Sequence, residues 1–122
     1  MNGNNYLLDT NSIIYLLKDG LTLPFNNYYF SIITEIELLS YKKITPQEEG
    51  IIKQVLTNFN KLYINEDIKE LTIKIRKNSM IKLPDSLIIA SSLASNSILV
   101  TSDKQLLNNK FVKAIELKNL KD

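Results

Sequence analysis

The sequence predicts an α/β fold, a three-layer α/β/α sandwich around a mostly parallel central sheet. Short apolar runs rich in aromatic and β-branched residues alternate along the chain with stretches whose apolar residues recur at helical spacing. This alternation is typical of βαβ units, in which successive strands run parallel. The 122 residues contain no linker, internal repeat or low-complexity tract, so we expect a single domain over residues 1–122.

The first half of the chain contains two predicted strands and three predicted helices. The strands are expected at residues 5–9 and 28–33, and the helices at 11–18, 34–42 and 45–58. Gly20 follows the first helix and is the usual kind of residue to end one. Thr45 as cap, Pro46 in the first turn and Glu48 three residues after the cap together mark the start of the third helix.

The second half contains three predicted strands and two longer helices. The strands are expected at residues 61–64, 97–101 and 111–115, the helices at 65–78 and 84–95, and a turn or short helix at 102–107. The small residues Ala90, Ser91 and Ala94 indicate that helix 84–95 packs closely against a neighbour. We expect strand 111–115 to lie at a sheet edge and the polar tail, residues 116–122, to follow it.

Histidine and cysteine are both absent from the chain. Their absence excludes the usual zinc sites, cysteine nucleophiles, Ser-His-Asp triads and paired-histidine ribonuclease chemistry. An enzyme built from this chain must therefore handle protons with Asp, Glu, Lys, Tyr or metal-bound water. The absence of cysteine also excludes disulfides and suits a reducing compartment, so we expect a cytoplasmic protein.

Charge and hydropathy add little about partners. The net charge of +2 is mildly basic and does not by itself indicate nucleic-acid binding. Residues 1–5 lack the basic and apolar regions of a secretory signal. No apolar run approaches the roughly 18 residues that a membrane span requires, so we expect no membrane association.

Four acidic residues stand where helices are predicted to begin, and we call them the acidic quartet: Asp9, Glu37, Asp85 and Asp103. All of them except Asp85 follow predicted strands. The carboxyl ends of parallel strands form the ligand crevice of an open α/β sheet. Carboxylates gathered there repel one another, and a divalent cation is the simplest group that holds them together. The sequence therefore predicts a metal–carboxylate site.

Asp9 and Asp103 also have a structural interpretation. Each follows a strand and precedes a helical pattern, so either can be a helix cap, and Ser102 can cap in place of Asp103. If Asp9 is instead a metal ligand, hydrogen bonds from Thr10 or Asn11 are expected to support it. A residue can be a cap and a ligand at once.

Glu37 and Asp85 have structural interpretations of their own. Glu37 lies three residues after Thr34 and could complete a capping box. Glu35 competes with it for the functional role but faces another side of the helix. Asp85 follows Pro84 in the first turn of a helix, where the helix dipole favours an acid by about 0.3–1 kcal/mol.

Other functional classes fit the sequence less well. A phosphatase of the aspartyl-nucleophile type also begins with a strand and an Asp, but it needs a second Asp two residues later, where this chain has Asn11. No Gly-rich phosphate loop, Walker sequence or dinucleotide fingerprint is present. Most basic residues are interpreted as solvated helix faces, and their indication of phosphate binding is weak.

Four segments in series resemble the PIN domain, and they are most similar to the VapC-type toxins of bacterial toxin–antitoxin pairs. The segments are residues 8–11 (LDTN), 31–38 (SIITEIEL), 85–90 (DSLIIA) and 99–103 (LVTSD), and the resemblance covers essentially the whole chain. The acidic quartet matches the acids of that family by position. The Glu37-Leu38 pair matches the second motif, which selects Glu37 over Glu35. Thr101 matches a polar residue that helps to hold the last acid.

The resemblance implies a ribonuclease that depends on Mg²⁺ or Mn²⁺ and hydrolyses RNA phosphodiesters with metal-activated water. It also implies a homodimer that a cognate antitoxin protein holds inactive. The chain departs from the family where Gln105 and Leu106 replace a common acid and Phe, and where Ile89 replaces a small residue. Two alternatives stay open: a catalytically inert PIN-like binding or scaffold module, and a DNA-directed nuclease.

Overall fold

A computed structural model describes residues 4–20 and 22–120 and confirms the predicted α/β class. Its five strands form one sheet in the order β3-β2-β1-β4-β5, and every neighbouring pair is parallel. The strands are β1 (Asn5–Leu8), β2 (Asn27–Ser31), β3 (Asn60–Leu62), β4 (Ile98–Val100) and β5 (Ala114–Ile115). The helices are α1 (Thr10–Asp19), α2 (Ile32–Leu39), α3 (Pro46–Leu56), α4 (Glu66–Lys77), α5 (Leu83–Ala94) and α6 (Lys104–Leu107).

Two apolar clusters lie on opposite faces of the sheet and produce the predicted three layers. Successive residues of a strand point to opposite faces, so Leu8 belongs to one cluster and Leu7 to the other. The first cluster includes buried side chains of α1, α2 and α3: Ile13, Leu16, Leu38 and Leu56. The second includes buried side chains of α4 and α5: Ile68, Ile75, Ile88, Ile89 and Ala90.

The close packing predicted for the small residues of α5 is confirmed for two of the three. Ala90 and Ser91 are buried and α5 packs side by side with α4, but Ala94 is exposed. The hydroxyl of Ser91 donates a hydrogen bond to the carbonyl of Leu87 at 2.8 Å, which satisfies it inside the helix. Within the two described ranges, no helix is long and apolar enough to span a membrane.

The largest correction to the sequence predictions concerns α2. This helix begins at Ile32 rather than at residue 34, because the side chain of Ser31 caps it by accepting a hydrogen bond from the backbone N–H of Ile33 at 3.1 Å. Thr34 is therefore inside the helix, and the capping box predicted for Thr34 and Glu37 is wrong. Glu37 lies near the end of α2 and not at a helix start. The β-branched run favoured a strand here, and the serine cap overrides that local preference.

Other local predictions are confirmed. The predicted capping box of α3 is present, with Thr45 accepting from the Glu48 N–H at 3.1 Å and Glu48 accepting from the Thr45 N–H at 3.0 Å. Gly20 ends α1 with φ 62°, a left-handed conformation that suits glycine. Asn65 caps α4.

The chain ends differ from their predictions in detail. Strand β5 is limited to Ala114–Ile115, although it does lie at the predicted sheet edge. The tail contains a 3₁₀ turn, Leu117–Asn119, and both Leu117 and Leu120 pack against the first apolar cluster, so it is not wholly polar. The predictions at residues 1–3 and 121–122 lie outside the described residues; they concern the lack of a secretory signal and the last two tail residues.

Candidate active site

The strand order places three members of the acidic quartet at one edge of the sheet: Asp9, Glu37 and Asp103. Strand β1 lies between β2 and β4, and Leu8 is paired with Val100 in register. Asp9 follows β1 directly, and Thr101 to Asp103 follow β4. Helix α2 leaves the carboxyl end of β2 and carries Glu37 beside them. This edge is where open parallel sheets bind their ligands.

Asp9 is buried, with 6% of its surface exposed, and both of its carboxylate oxygens have partners. Oδ1 accepts a hydrogen bond from the Ser12 N–H at 2.9 Å, so Asp9 caps α1. Oδ2 accepts from the Thr101 hydroxyl at 2.5 Å. A carboxylate has about four lone-pair sites, so these two bonds leave it able to bind a further group. Cap and ligand are therefore compatible roles for Asp9.

Thr101 connects two members of the acidic quartet. Its fully buried hydroxyl donates to Asp9 and accepts from the backbone N–H of Asp103 at 3.1 Å. Asp103 in turn caps α6 by accepting from the Leu106 N–H at 3.1 Å. Ser102 is exposed, and its side chain makes no hydrogen bond to any described residue. The predicted supporting role thus falls to Thr101 in this geometry.

The two glutamates of α2 face different neighbours. Thr10 donates from its hydroxyl to Glu37 Oε1 at 2.5 Å, which ties Glu37 to α1. Glu35 instead pairs with the Lys61 ammonium at 2.8 Å, on the β3 side of the sheet. This geometry favours Glu37 over Glu35 as the site residue. It also corrects one prediction, because Thr10 supports Glu37 and not Asp9.

Asn11 was predicted as an alternative support for Asp9. Its side chain is exposed and makes no hydrogen bond within the ranges that the structure describes. The support for Asp9 comes instead from Ser12 and Thr101. Ser12 is itself fixed, since its hydroxyl donates to the carbonyl of Val100 at 3.0 Å. Its position three residues after an N-cap was the signal that could have identified it.

The pKa of Asp85 is affected by the charges of the other three acids. Burial raises the pKa of its carboxyl above the ordinary value, and the negative charges of Asp103, Glu37 and Asp9 raise it further. The positive charge of Lys82 acts in the opposite direction. The fold therefore brings Asp85, from its own helix, close enough to the other three acids for their charges to act on it.

Lys82 is a functional candidate that had, in the sequence, only the weak indication of phosphate binding that it shares with the other basic residues. It occupies the N-cap position of α5, where it makes no side-chain capping bond. A cation at a helix N-terminus is unfavourable because it faces the positive end of the helix dipole. The signal in the sequence was its position three residues before Asp85, which puts both on one side of the first turn.

The donor chemistry of this edge suits a hard divalent cation. Within residues 4–20 and 22–120, no three acidic side chains converge tightly enough to enclose an ion directly. Mg²⁺ does not require such a cage, because it keeps several waters and uses one or two carboxylates as direct ligands. The carboxylates at this edge, with the positive charge of Lys82 beside Asp85, therefore fit Mg²⁺ or Mn²⁺ by their chemistry.

Comparison with known proteins gives the family. The model of the PIN domain matches residues 6–112, which include every member of the acidic quartet. The chain belongs to the PIN-domain family. The predicted resemblance is thus confirmed over most of the chain. No curated protein matches it in sequence.

Solved structures similar to this PIN domain include a toxin–antitoxin complex and VapBC structures. A toxin–antitoxin complex from Klebsiella pneumoniae matches with 27% identity and a TM-score of 0.74, over 86% of this chain and 92% of that one. VapBC-1 from nontypeable Haemophilus influenzae matches with 25% identity and a TM-score of 0.73, over 92% and 97%. VapBC2 from Rickettsia felis, bound to a promoter DNA fragment, shares the fold with a TM-score of 0.77 at 20% identity, over 92% and 98%.

Asp85→Asn is expected to stabilise this PIN domain at neutral pH when no divalent ion is present. The raised pKa means that the folded chain binds the Asp85 proton more tightly than the unfolded chain does. The stabilisation that this proton gives the folded state is complete below the pKa that Asp85 has in the unfolded chain. It is lost as the pH rises through the higher pKa that Asp85 has in the folded chain. Urea unfolding in EDTA at pH 7 should therefore show a more stable variant, with the difference shrinking towards pH 4. A variant that is less stable at pH 7 would contradict the crowding of the acids.

Proposed function

We propose that this PIN domain is a metal-dependent endoribonuclease and the toxin of a type II toxin–antitoxin pair. The observation that carries the proposal is the geometry of the ligand edge, where Thr101 holds Asp9 and the backbone of Asp103, Thr10 holds Glu37, and the charges of these three acids act on Asp85. The chain has no His and no Cys, so a metal–carboxylate site is the main hydrolytic chemistry open to it. Membership of the PIN-domain family supports a nuclease.

The acidic quartet is proposed to hold one or two Mg²⁺ or Mn²⁺ ions, partly through water. When bound, the ion supplies a Lewis acid that lowers the pKa of water and offsets charge on the phosphate. Thr101 and Thr10 fix the carboxylates of Asp9 and Glu37 before any substrate arrives, so little rearrangement is needed during reaction. Lys82, exposed beside Asp85, is placed to contact a substrate phosphate.

Cleavage of matched nucleic acids tests the proposal. RNA and single-stranded DNA of one sequence are incubated with the protein in Mg²⁺, in Mn²⁺ and in excess EDTA. We expect cleavage of RNA with either metal, no cleavage in EDTA, and recovery when Mg²⁺ is restored. Cleavage of the DNA alone supports the DNA-directed alternative. No cleavage of either, together with tight binding to a partner protein, supports the inert module.

A groove beside the acidic quartet is the proposed docking site for an antitoxin. It has a volume of about 630 Å³, lies among α1, α2 and α3, and contains Thr10 and Glu37 at its margin. Apolar side chains form most of its wall: Ile14, Leu17, Leu38, Ile51 and Ile52. An amphipathic segment fits such a groove, and a basic side chain on it could reach the acids. The similar structures solved as toxin–antitoxin complexes support a protein partner of this kind.

Ile51→Asp is expected to weaken antitoxin binding at least tenfold. Ile51 is 48% exposed and lines the groove, so a charge there opposes burial of an apolar segment. The measurement is co-purification with the product of any short reading frame found just upstream, followed by titration. Phe25→Asp is the matched control, because Phe25 is also exposed but is not part of the groove wall. Equal affinities for the two variants would place the partner elsewhere.

We further propose that the protein is a homodimer and acts in the cytoplasm. The homodimer follows from the resemblance to VapC-type toxins. A chain without cysteine suits a reducing compartment, where its RNA substrate would also be found. Sedimentation equilibrium of the purified protein tests the dimer, with a monomer mass of 14.0 kDa as reference.

A further inference from the structure

Thr34 is a fully buried polar residue, and helix capping does not explain its presence. Ser31 caps α2, and Thr34 lies inside the first turn of that helix. Its side chain is 0% exposed, so its hydroxyl needs a hydrogen-bond partner within the protein. A buried hydroxyl without a partner would destabilise the fold.

The partner of Thr34 lies on another helix. A threonine inside a helix commonly turns its hydroxyl to the carbonyl three or four residues earlier, as Thr72 does towards Ile68 at 2.7 Å. The hydroxyl of Thr34 instead lies 3.3 Å from the hydroxyl of Thr10, in α1. Within residues 4–20 and 22–120, Thr10 is the hydrogen-bond partner of the Thr34 side chain.

The two threonines and Glu37 form a chain of hydrogen bonds with one direction. The hydroxyl of Thr10 lies 2.5 Å from Glu37 Oε1. An ionised carboxylate only accepts hydrogen bonds, and Thr10 has a single hydroxyl proton, so Thr10 donates to Glu37. The proton between the two threonines must then come from Thr34, whose hydroxyl donates to the Thr10 oxygen. Successive hydrogen bonds that run in one direction strengthen each other.

Glu37 depends on this chain of hydroxyls. Its side chain is exposed, and a glutamate loses considerable rotational freedom when it is fixed. In the part of the chain that the structure describes, the bond from Thr10 is the hydrogen bond that the Glu37 carboxylate makes. Thr10 is half-buried, whereas Thr34 is closed to water. The buried hydroxyl of Thr34 is therefore the fixed end of the chain.

The same hydroxyls connect Glu37 to Asp9. Thr10 follows Asp9 directly in the sequence, and the carboxylate of Asp9 is held by Thr101. The hydrogen bond from Thr34 to Thr10 joins α2 to the start of α1, and so helps to set the separation between the carboxylates of Glu37 and Asp9. A shared metal site needs its ligands within about 0.5 Å of the working geometry.

We propose that Thr34 is a positioning residue of the metal site: its buried hydroxyl orients Thr10, and Thr10 orients Glu37. The inference rests on the metal-dependent function proposed above and adds to it a residue that touches neither ion nor substrate. Groups that orient a metal ligand typically change metal affinity by about 10–100-fold. The effect of Thr34 should lie at the low end of that range, because it reaches Glu37 only through Thr10.

Metal binding in the absence of RNA tests this proposal. Mn²⁺ is titrated into metal-free wild type and variants, and the dissociation constant is measured by calorimetry. Thr34→Val keeps the shape of the side chain and removes the hydroxyl, so we expect the constant to rise about tenfold. Thr34→Ser keeps the hydroxyl and should bind Mn²⁺ nearly as tightly as wild type. Thr72→Val is the matched control, because Thr72 is also a buried helical threonine but bonds to Ile68 within α4.

A double-mutant cycle tests whether Thr34 acts through Thr10. Thr10→Val removes the hydroxyl that donates to Glu37, so it should weaken Mn²⁺ binding at least as much as Thr34→Val does. If Thr34 acts by orienting Thr10, adding Thr34→Val to Thr10→Val should cause no further loss. An equal loss in the two backgrounds would show that Thr34 acts by another route and would overturn the proposal.

The outcomes separate this inference from the proposed function. Circular dichroism first establishes that each variant is folded, and Thr34→Ala takes the place of Thr34→Val if the latter is not. A wild type that binds no Mn²⁺ would overturn both proposals. Equally tight binding by wild type and Thr34→Val would overturn only the role of Thr34. The expected loss of Mn²⁺ affinity in a protein that cleaves no RNA would support the role of Thr34 and overturn the nuclease.

Discussion

Asp9→Asn is expected to lower RNA cleavage by about 100-fold or more. Loss of a group that only supports a metal ligand already costs about 10–100-fold, and the loss of a ligand carboxylate should cost at least as much. Asp9 is the most buried member of the acidic quartet and is fixed on both sides by Ser12 and Thr101. The measurement is the initial rate on a defined RNA at saturating Mg²⁺.

The fold of the Asp9→Asn variant should be retained, because Asn also caps helices well and its shape is nearly that of Asp. Glu35→Gln is the matched control. It also removes one carboxylate, but Glu35 is paired with Lys61 and does not face the site. We expect the control to cleave at the wild-type rate. If both variants cleave as fast as wild type, the assignment of Asp9 is wrong.

Thr101→Val is expected to destabilise the protein by about 1–3 kcal/mol and to reduce cleavage as well. The methyl group that replaces the hydroxyl can neither donate to Asp9 nor accept from the N–H of Asp103. Both groups would lose a partner at a position where Thr101 is fully buried. The carboxylate of Asp9 would also be held less firmly for catalysis.

Urea unfolding and cleavage rates measure these two effects. Thr101→Ser is the control, because it keeps the hydroxyl and removes only a methyl group. The Ser variant should retain most activity and lose less stability than the Val variant. A Val variant as stable and as active as wild type would show that the hydroxyl of Thr101 does not support the site.

The elements that the sequence predicts well are those with strong local signals. The capping box at Thr45 and the glycine at Gly20 fix helix ends through neighbouring residues alone, and both are present as predicted. The start of α2 was missed because Ile32 and Ile33 have strand-like side chains. Their helical conformation depends on the cap from Ser31, which sequence spacing does not distinguish from a cap at Thr34.

The candidate site also has one part that the sequence predicts and another that depends on how the elements pack. Strand-end reasoning placed Asp9 and Asp103 at one edge of the sheet, because parallel strands end together. The contact of Thr10 with Glu37 joins two helices and depends on how they pack, so no local pattern predicts it. Asp85 was identified by its place at a predicted helix start, and only the folded structure shows its repulsion from the other three acids.

The most direct test of the shared metal site is the thermal stability of wild type and Asp85→Asn, each measured in EDTA and in excess Mg²⁺. An ion that binds only the folded state stabilises it by about 2.7 kcal/mol at 100 times its dissociation constant. We predict that Mg²⁺ raises the Tm of wild type clearly and that of Asp85→Asn little, while the variant is the more stable protein in EDTA. Equal rises in the two proteins, or no rise in wild type, would contradict a metal site built from the acidic quartet.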